Sequence, residues 1–298
     1  MTKTKDNKNI ALVLSGGSAR GLAHIGVIEE FMKSGHTITS IAGTSMGAVV
    51  VVVYALGKMP EFKTWMCSLD KRKVFSLVDF NFGTSGLIKG DKVINKMKEF
   101  IDDQLIEDLP IPFAAVATDL LNKKEVVFTK GSIYDAIRAS IAIPTVIAPV
   151  KTTDGLLVDG GLLNNAPVNH VFRTNDDLLV LSDVNANVSV IKTHVSAVKR
   201  KQSETEYKSK VRRFYDQLGK LSPHSKEESM GYFTLMDKTI NLLIQRMSEL
   251  AVAQSPPDLN VKISVDTCNT FDFYKAEELI EAGRKSARKV LKNYHQLS

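Results

Sequence analysis

Between Ile10 and Gly57 the chain alternates twice between a short, wholly apolar run and a longer stretch with helical spacing. "IALVL" leads through glycines into "ARGLAHIGVIEEFMKSG", and "ITSIAG" leads into a second helical stretch from Met46 to Gly57. A strand that is apolar at every position needs cover on both faces, and a helix between two strands normally returns the chain parallel to its start. The pattern predicts an α/β fold of three layers, α/β/α, around a central and mostly parallel sheet. Five consecutive valines in the second helix favour a strand by propensity, and burial on all sides is expected to override that preference.

Further strands are expected at "PFAAVATDL", "KEVVFTKG", "LLVDGG", "DLLVLSDV" and "NVKISV". Helices are expected near Trp65, from Asp91, over "SIYDAIRAS" with Ser132 as its cap, and from Phe273 to about Leu291. Residues 186–230 are polar and mostly basic. The stripe Phe233, Met236, Ile240, Leu243, Met247 and Leu250 then marks one more helix, expected to face the core or a second copy of the chain. Because strand and helix resume after it, 186–255 is expected to be a C-terminal helical insertion. The whole chain, 1–298, is then one domain with its core at about 8–185 and 256–292.

The 298 residues carry a net charge of +6, which favours anionic partners. No aromatic platform or known motif accompanies that charge, so nucleic-acid binding is not expected. No run approaches the roughly 20 apolar residues of a membrane span, and the five of Ile10–Leu14 are too few for a signal-peptide core. A cytoplasmic location is the default. Cys67 and Cys268 match no metal or redox spacing and are expected to be free thiols; neither metal nor cofactor is expected.

Three stretches carry candidate chemistry. Gly43-Thr44-Ser45-Met46-Gly47 fits G-x-S-x-G between a strand and a helix, where a sharp turn exposes the serine and flanking glycines relieve crowding. The alternative is an ordinary hydroxyl at a strand–helix turn. "SGGSARG", Ser15 to Gly21, offers backbone N–H groups and Arg20 to an anion. A dinucleotide fingerprint there would need glycine where Ser18 stands and an acid some 20 residues on, and both are missing. "LLVDGGLLNNAPV" sets Asp159 at the end of an apolar strand, either as a site carboxylate or in a plain Asp-Gly turn.

Taken in order, "LVLSGGSARGLAHIGVIEEF", "GTSMGA", "RASIAIPTVIAPV" and "DGGLLNNAPV" resemble the patatin-like phospholipase family over residues 10–185, and the closing strand and helix are similar too. The resemblance implies a patatin-like three-layer fold and a serine–aspartate dyad without histidine. It makes Ser45 the nucleophile, Asp159 the base, Gly43 and Gly47 the glycines of its elbow, and Gly16, Gly17, Ser18 and Arg20 the oxyanion loop. Ser18 departs from the family's usual glycine; a serine keeps the N–H, but it is strained if the loop needs positive φ.

The implied reaction is cleavage of a fatty-acyl ester, a phospholipid or lysophospholipid, through an acyl-enzyme. The aromatics of "VFSLVDFNFGTSGLI" suit an acyl pocket or lid, and the basic run Lys199–Arg213 suits anionic headgroups at a membrane surface. An exposed aspartate is too weak a base for a serine, so burial must raise its pKa or the oxyanion site must carry the catalysis. A Ser45–Asp159–His170 triad is the rival arrangement, while His24 reads as a packed core histidine. A serine protease and a lipid-binding protein with negligible turnover are the alternative functions.

Overall fold

The computed structural model describes residues 9–77, 89–174, 176–193 and 232–297. Its sheet has eight strands: β1 (Asn9–Leu14), β2 (Thr37–Thr44), β3 (Phe113–Asp119), β4 (Lys124–Phe128), β5 (Val150–Lys151), β6 (Leu156–Asp159), β7 (Leu178–Ala186) and β8 (Leu259–Ser264). Hydrogen bonds follow the path β5-β6-β3-β2-β1-β7-β8, with β4 also paired to β3. The pairs among β8, β7, β1, β2 and β3 are parallel, and β4, β5 and β6 join antiparallel.

β1 shows how the sequence builds the layers. Ile10, Leu12 and Leu14 point into the larger core on one face, while Ala11 and Val13 point into a smaller one on the other. Period-two alternation of apolar residues on both faces is what a doubly covered strand requires. On the larger side lie α1 (Ala23–Lys33), α2 (Met46–Ala55), α3 (Met59–Cys67), α4 (Lys71–Ser76), α5 (Asp91–Lys98), α6 (Ile133–Ser140) and the closing α8 (Ala276–Leu297). The opposite face is covered by residues 166–171 and by α7 (Tyr232–Gln254) through Ala251 and Val252. No described helix is long and apolar enough to cross a membrane.

α2 forms despite its valines because Val49 to Val53 are all buried. α6 starts as expected: the Ser132 hydroxyl accepts hydrogen bonds from the N–H groups of Tyr134 and Asp135 at 3.1 and 3.2 Å. α1 and α8 cross at two glycines. A Cβ on Gly26 would lie 1.9 Å from the Ile280 carbonyl oxygen, and one on Gly283 would lie 1.9 Å from that of Ala23. β8 pairs parallel with β7. The basic run 199–213 and residues 78–88 of the aromatic loop lie outside the described residues.

α7 departs from the expected stripe. Ile240 and Ser248 are buried, but Leu243 and Leu250 are exposed, together with Leu235 and Leu242. Apolar residues cover more than half of this helix's circumference, so periodicity located the helix without deciding which face packs.

Candidate active site

The strand register brings Ser45 and Asp159 together. Thr44, the last residue of β2, pairs with Val116 of β3, and Asp159, the last of β6, pairs with Ala117. Val116 and Ala117 also pair with β4, so β2 and β6 must share the opposite edge of β3. They run toward each other and stop at adjacent rungs. The Thr44 hydroxyl completes the junction by donating to the Asn164 carbonyl at 2.8 Å.

Ser45 sits on the turn into α2 with φ 55 and ψ −125. A non-glycine residue there is held under strain, about 1–3 kcal/mol, by its surroundings. The turn is tight enough to exclude side chains beside it: a Cβ on Gly47 would lie 2.3 Å from the Leu14 carbonyl oxygen, and one on Gly43 2.6 Å from the Gly47 carbonyl carbon. The Ser45 N–H donates to the Ser140 hydroxyl at 2.8 Å, and that hydroxyl donates to the Val116 carbonyl at 2.6 Å. Ser140 was not singled out by sequence reasoning, although it lies in the quoted stretch "RASIAIPTVIAPV"; a serine at a helix end carries no distinctive signal.

Asp159 is 3% exposed. Its Oδ1 accepts the Gly161 N–H at 2.8 Å, while among the described residues Oδ2 has no hydrogen-bond partner of ordinary geometry. Burial pushes the carboxyl up to about 6; the neighbouring Ser45 hydroxyl, and then the Gly161 N–H, partly oppose the rise. A carboxylate with one unpaired oxygen beside a hydroxyl is arranged to receive that hydroxyl's proton.

The loop after β1 is held in place by its carbonyl groups and side chains. The Gly16 N–H donates to the Asn165 carbonyl at 3.0 Å, and the Gly16 carbonyl accepts from the side chains of Asn185 at 2.6 Å and Asn165 at 3.4 Å. A Cβ on Gly16 would come within 3.1 Å of the Ser45 Cβ, which places the loop directly against the elbow. Among the described residues the N–H groups of Gly17 and Ser18 donate to nothing, leaving two donors available. Ser18 has φ 48, so it is the strained case anticipated from the sequence. The Arg20 guanidinium points elsewhere, donating to Asn185 at 3.1 Å and Asn241 at 3.2 Å.

Neither candidate histidine touches Asp159. His24 is buried, its pKa pushed down to about 4 by burial and so neutral. Its Nε2–H donates to the Ser15 carbonyl at 2.9 Å, leaving Nδ1 to accept from the Ser182 hydroxyl at 2.8 Å. His170 pairs instead with Glu125 at 2.6 Å.

A cavity of about 160 Å³ opens from Ser18 and Ser45. Val49, Met66, Val74, Leu77, Ile141 and Phe271 are among the residues that enclose it, and nearly all of its lining is apolar. Val74 and Leu77 belong to the stretch expected to line an acyl pocket.

The family model of patatin-like phospholipase matches residues 12–172, more than half of the chain. The chain belongs to the patatin-like phospholipase family. An uncharacterized NTE family protein of Mycobacterium tuberculosis is 33% identical over 96% of this patatin-like chain and 92% of its own length. A lysophospholipase of Kluyveromyces lactis is 23% identical over 95% of this chain and 19% of its own. VipD of Legionella pneumophila shares the fold, with a TM-score of 0.50 and 14% identity over 97% of this chain and 67% of that one. Membership puts this patatin-like protein among the lipid hydrolases in general.

Proposed function

We propose that the protein is a serine lipid acyl hydrolase of the phospholipase, lysophospholipase or esterase type, cleaving fatty-acyl esters through Ser45 and Asp159. The observation that carries this reading is the unpartnered oxygen of a buried carboxylate beside a strained serine at the mouth of an apolar cavity. The Ser45 Oγ attacks the ester carbonyl carbon as Asp159 takes its proton. The N–H groups of Gly17 and Ser18, in a loop whose Gly16 lies against the elbow, hold the oxyanion, aided by the positive end of α2. Collapse of the intermediate expels the alcohol, which takes the proton from Asp159. Water then gives a proton to Asp159 as it attacks the acyl-Ser45 ester, and collapse of this second intermediate returns that proton to the Ser45 Oγ and releases the fatty acid. A carboxyl raised to about 6 is a far better acceptor than one at 3.8 and is still ionised at neutral pH.

The apolar cavity supports a long acyl chain as the bound group. Peripheral contact with an anionic membrane belongs to the same proposal. It draws on the net charge of +6 and on the exposed leucines of α7, a helix whose Ile244 lies 3.4 Å from where a Gly161 Cβ would be.

The test is labelling by a fluorophosphonate together with hydrolysis of p-nitrophenyl esters from acetyl to palmitoyl. Wild type should be labelled and prefer longer chains, Ser45→Ala should lose both activities, Asp159→Asn should lose turnover, and His170→Ala should keep it. A folded wild type that neither labels nor turns over any ester would instead be a lipid-binding protein. Casein cleavage without ester cleavage would make it a protease.

A further inference from the structure

We infer that the turn ending α6, residues 140–142, sets the spacing of nucleophile and base, and that Ser140 is a positioning residue through which a bound acyl chain raises kcat. The inference rests on the roles proposed above for Ser45 and Asp159.

Both catalytic residues hang from this turn by their main-chain N–H groups. The Ser45 N–H donates to the Ser140 hydroxyl at 2.8 Å. The Asp159 N–H donates to the Ala142 carbonyl at 2.9 Å. Ser140 is fully buried, and its hydroxyl hands its own hydrogen to the Val116 carbonyl, the rung of β3 at which β2 ends. The hydroxyl therefore has both a donor and an acceptor role filled, which fixes its rotamer and with it the strained backbone of Ser45.

The same segment is a wall of the cavity. Ile137, Ile141 and Ile143 all line it, and Ile141 lies between the two anchoring residues. An acyl chain that fills the cavity packs against Ile141 and so loads the turn from which both reacting groups are suspended. Binding energy from the distant chain is thereby expressed as correct placement at the reacting centre, which appears in kcat rather than only in KM.

The experiment measures kcat and KM separately for p-nitrophenyl acetate, butyrate and octanoate with wild type, Ser140→Ala and Ser140→Cys, with thermal unfolding of each. In wild type, kcat should rise and KM fall as the chain lengthens. In Ser140→Ala, KM should still fall, because the cavity is intact, but kcat should be flat across the series and about 10–100-fold lower on octanoate. Ser140→Cys, which keeps a weaker acceptor in place, should fall between. The inference is overturned if wild-type kcat is independent of chain length, if folded Ser140→Ala keeps the wild-type rise, or if its loss of activity only tracks its unfolded fraction. Should Ser140→Ala not fold, a full wild-type rise in Ser140→Cys overturns it. A folded wild type inactive on every ester sinks the reading of the site itself; an active one with an unchanged Ser140→Ala profile sinks only this inference.

Discussion

Burial raises the Asp159 carboxyl from 3.8 to about 6, and the same burial makes its ionised form unfavourable for the folded chain. The sign follows from proton counting: between those values the folded state holds the proton more tightly than the unfolded one. This contribution to stability is full below 3.8 and is lost as pH rises through about 6, amounting to as much as ~3 kcal/mol. Asp159→Asn removes the charge but keeps the shape, so its thermal midpoint should exceed that of wild type at pH 7.5 and match it near pH 4, while turnover collapses. Scanning calorimetry at the two pH values checks this. His24 acts in the opposite sense: its depressed pKa stabilises the fold above 6.5, and that stability is lost as pH falls through about 4. Ser18 carries strain of another kind, since its φ of 48 suits glycine better than serine. Ser18→Gly should keep ester hydrolysis within about threefold of wild type and leave stability equal or up to ~1 kcal/mol higher, whereas the β-branched Ser18→Val should lose both. Urea titrations and the octanoate assay separate the two variants.

The crossing of α1 and α8 shows what individual elements contribute. Its closeness depends on Gly26 and Gly283, each facing a backbone carbonyl oxygen that a side chain would strike. Gly283→Ala should therefore destabilise the protein by about 1–3 kcal/mol, read as a lowered urea midpoint with an unchanged slope, although alanine is the better helix former. Most such elements were legible in the sequence, because apolar runs and caps are local signals: β1 through β3, the Ser132 cap and the closing helix all lie close to where the residues predicted them. The meeting of β2 and β6 on β3 was not, since register is decided by pairing between residues 38 to 72 positions apart along the chain. For the same reason the residues proposed for the site, Ser45, Asp159 and the loop after β1, stand out in motifs, whereas Ser140, Asn165 and Asn185 do not. A buried hydroxyl or amide that orients a neighbour looks like any other polar residue until the fold closes around it.

At the scale of the whole molecule, the cavity lies among the helices and loops and opens at Ser18 and Ser45, just beyond the ends of β1 and β2. Val49 lies one helical turn beyond Ser45 and lines it. Val49→Phe should cost at least tenfold in kcat/KM on long-chain esters and leave acetate within about threefold, because a filled pocket excludes only the chains that need it. The pH dependence of kcat/KM on any one ester should show an acid limb with a midpoint near 6, below which Asp159 is protonated and unable to accept the serine proton. β2, which leads into Ser45, and β6, which ends at Asp159, stop on neighbouring rungs of β3, which makes that strand a ruler graduated at about 3.3 Å per residue. Main-chain pairing sets the coarse gap between Ser45 and Asp159, and the turn that carries the Ser140 hydroxyl trims it. Pocket linings away from the turn at residues 140–142 can therefore be exchanged for those of another ester without recalibrating the chemistry, and a scaffold of this kind can acquire new substrates by carpentry that spares one wall.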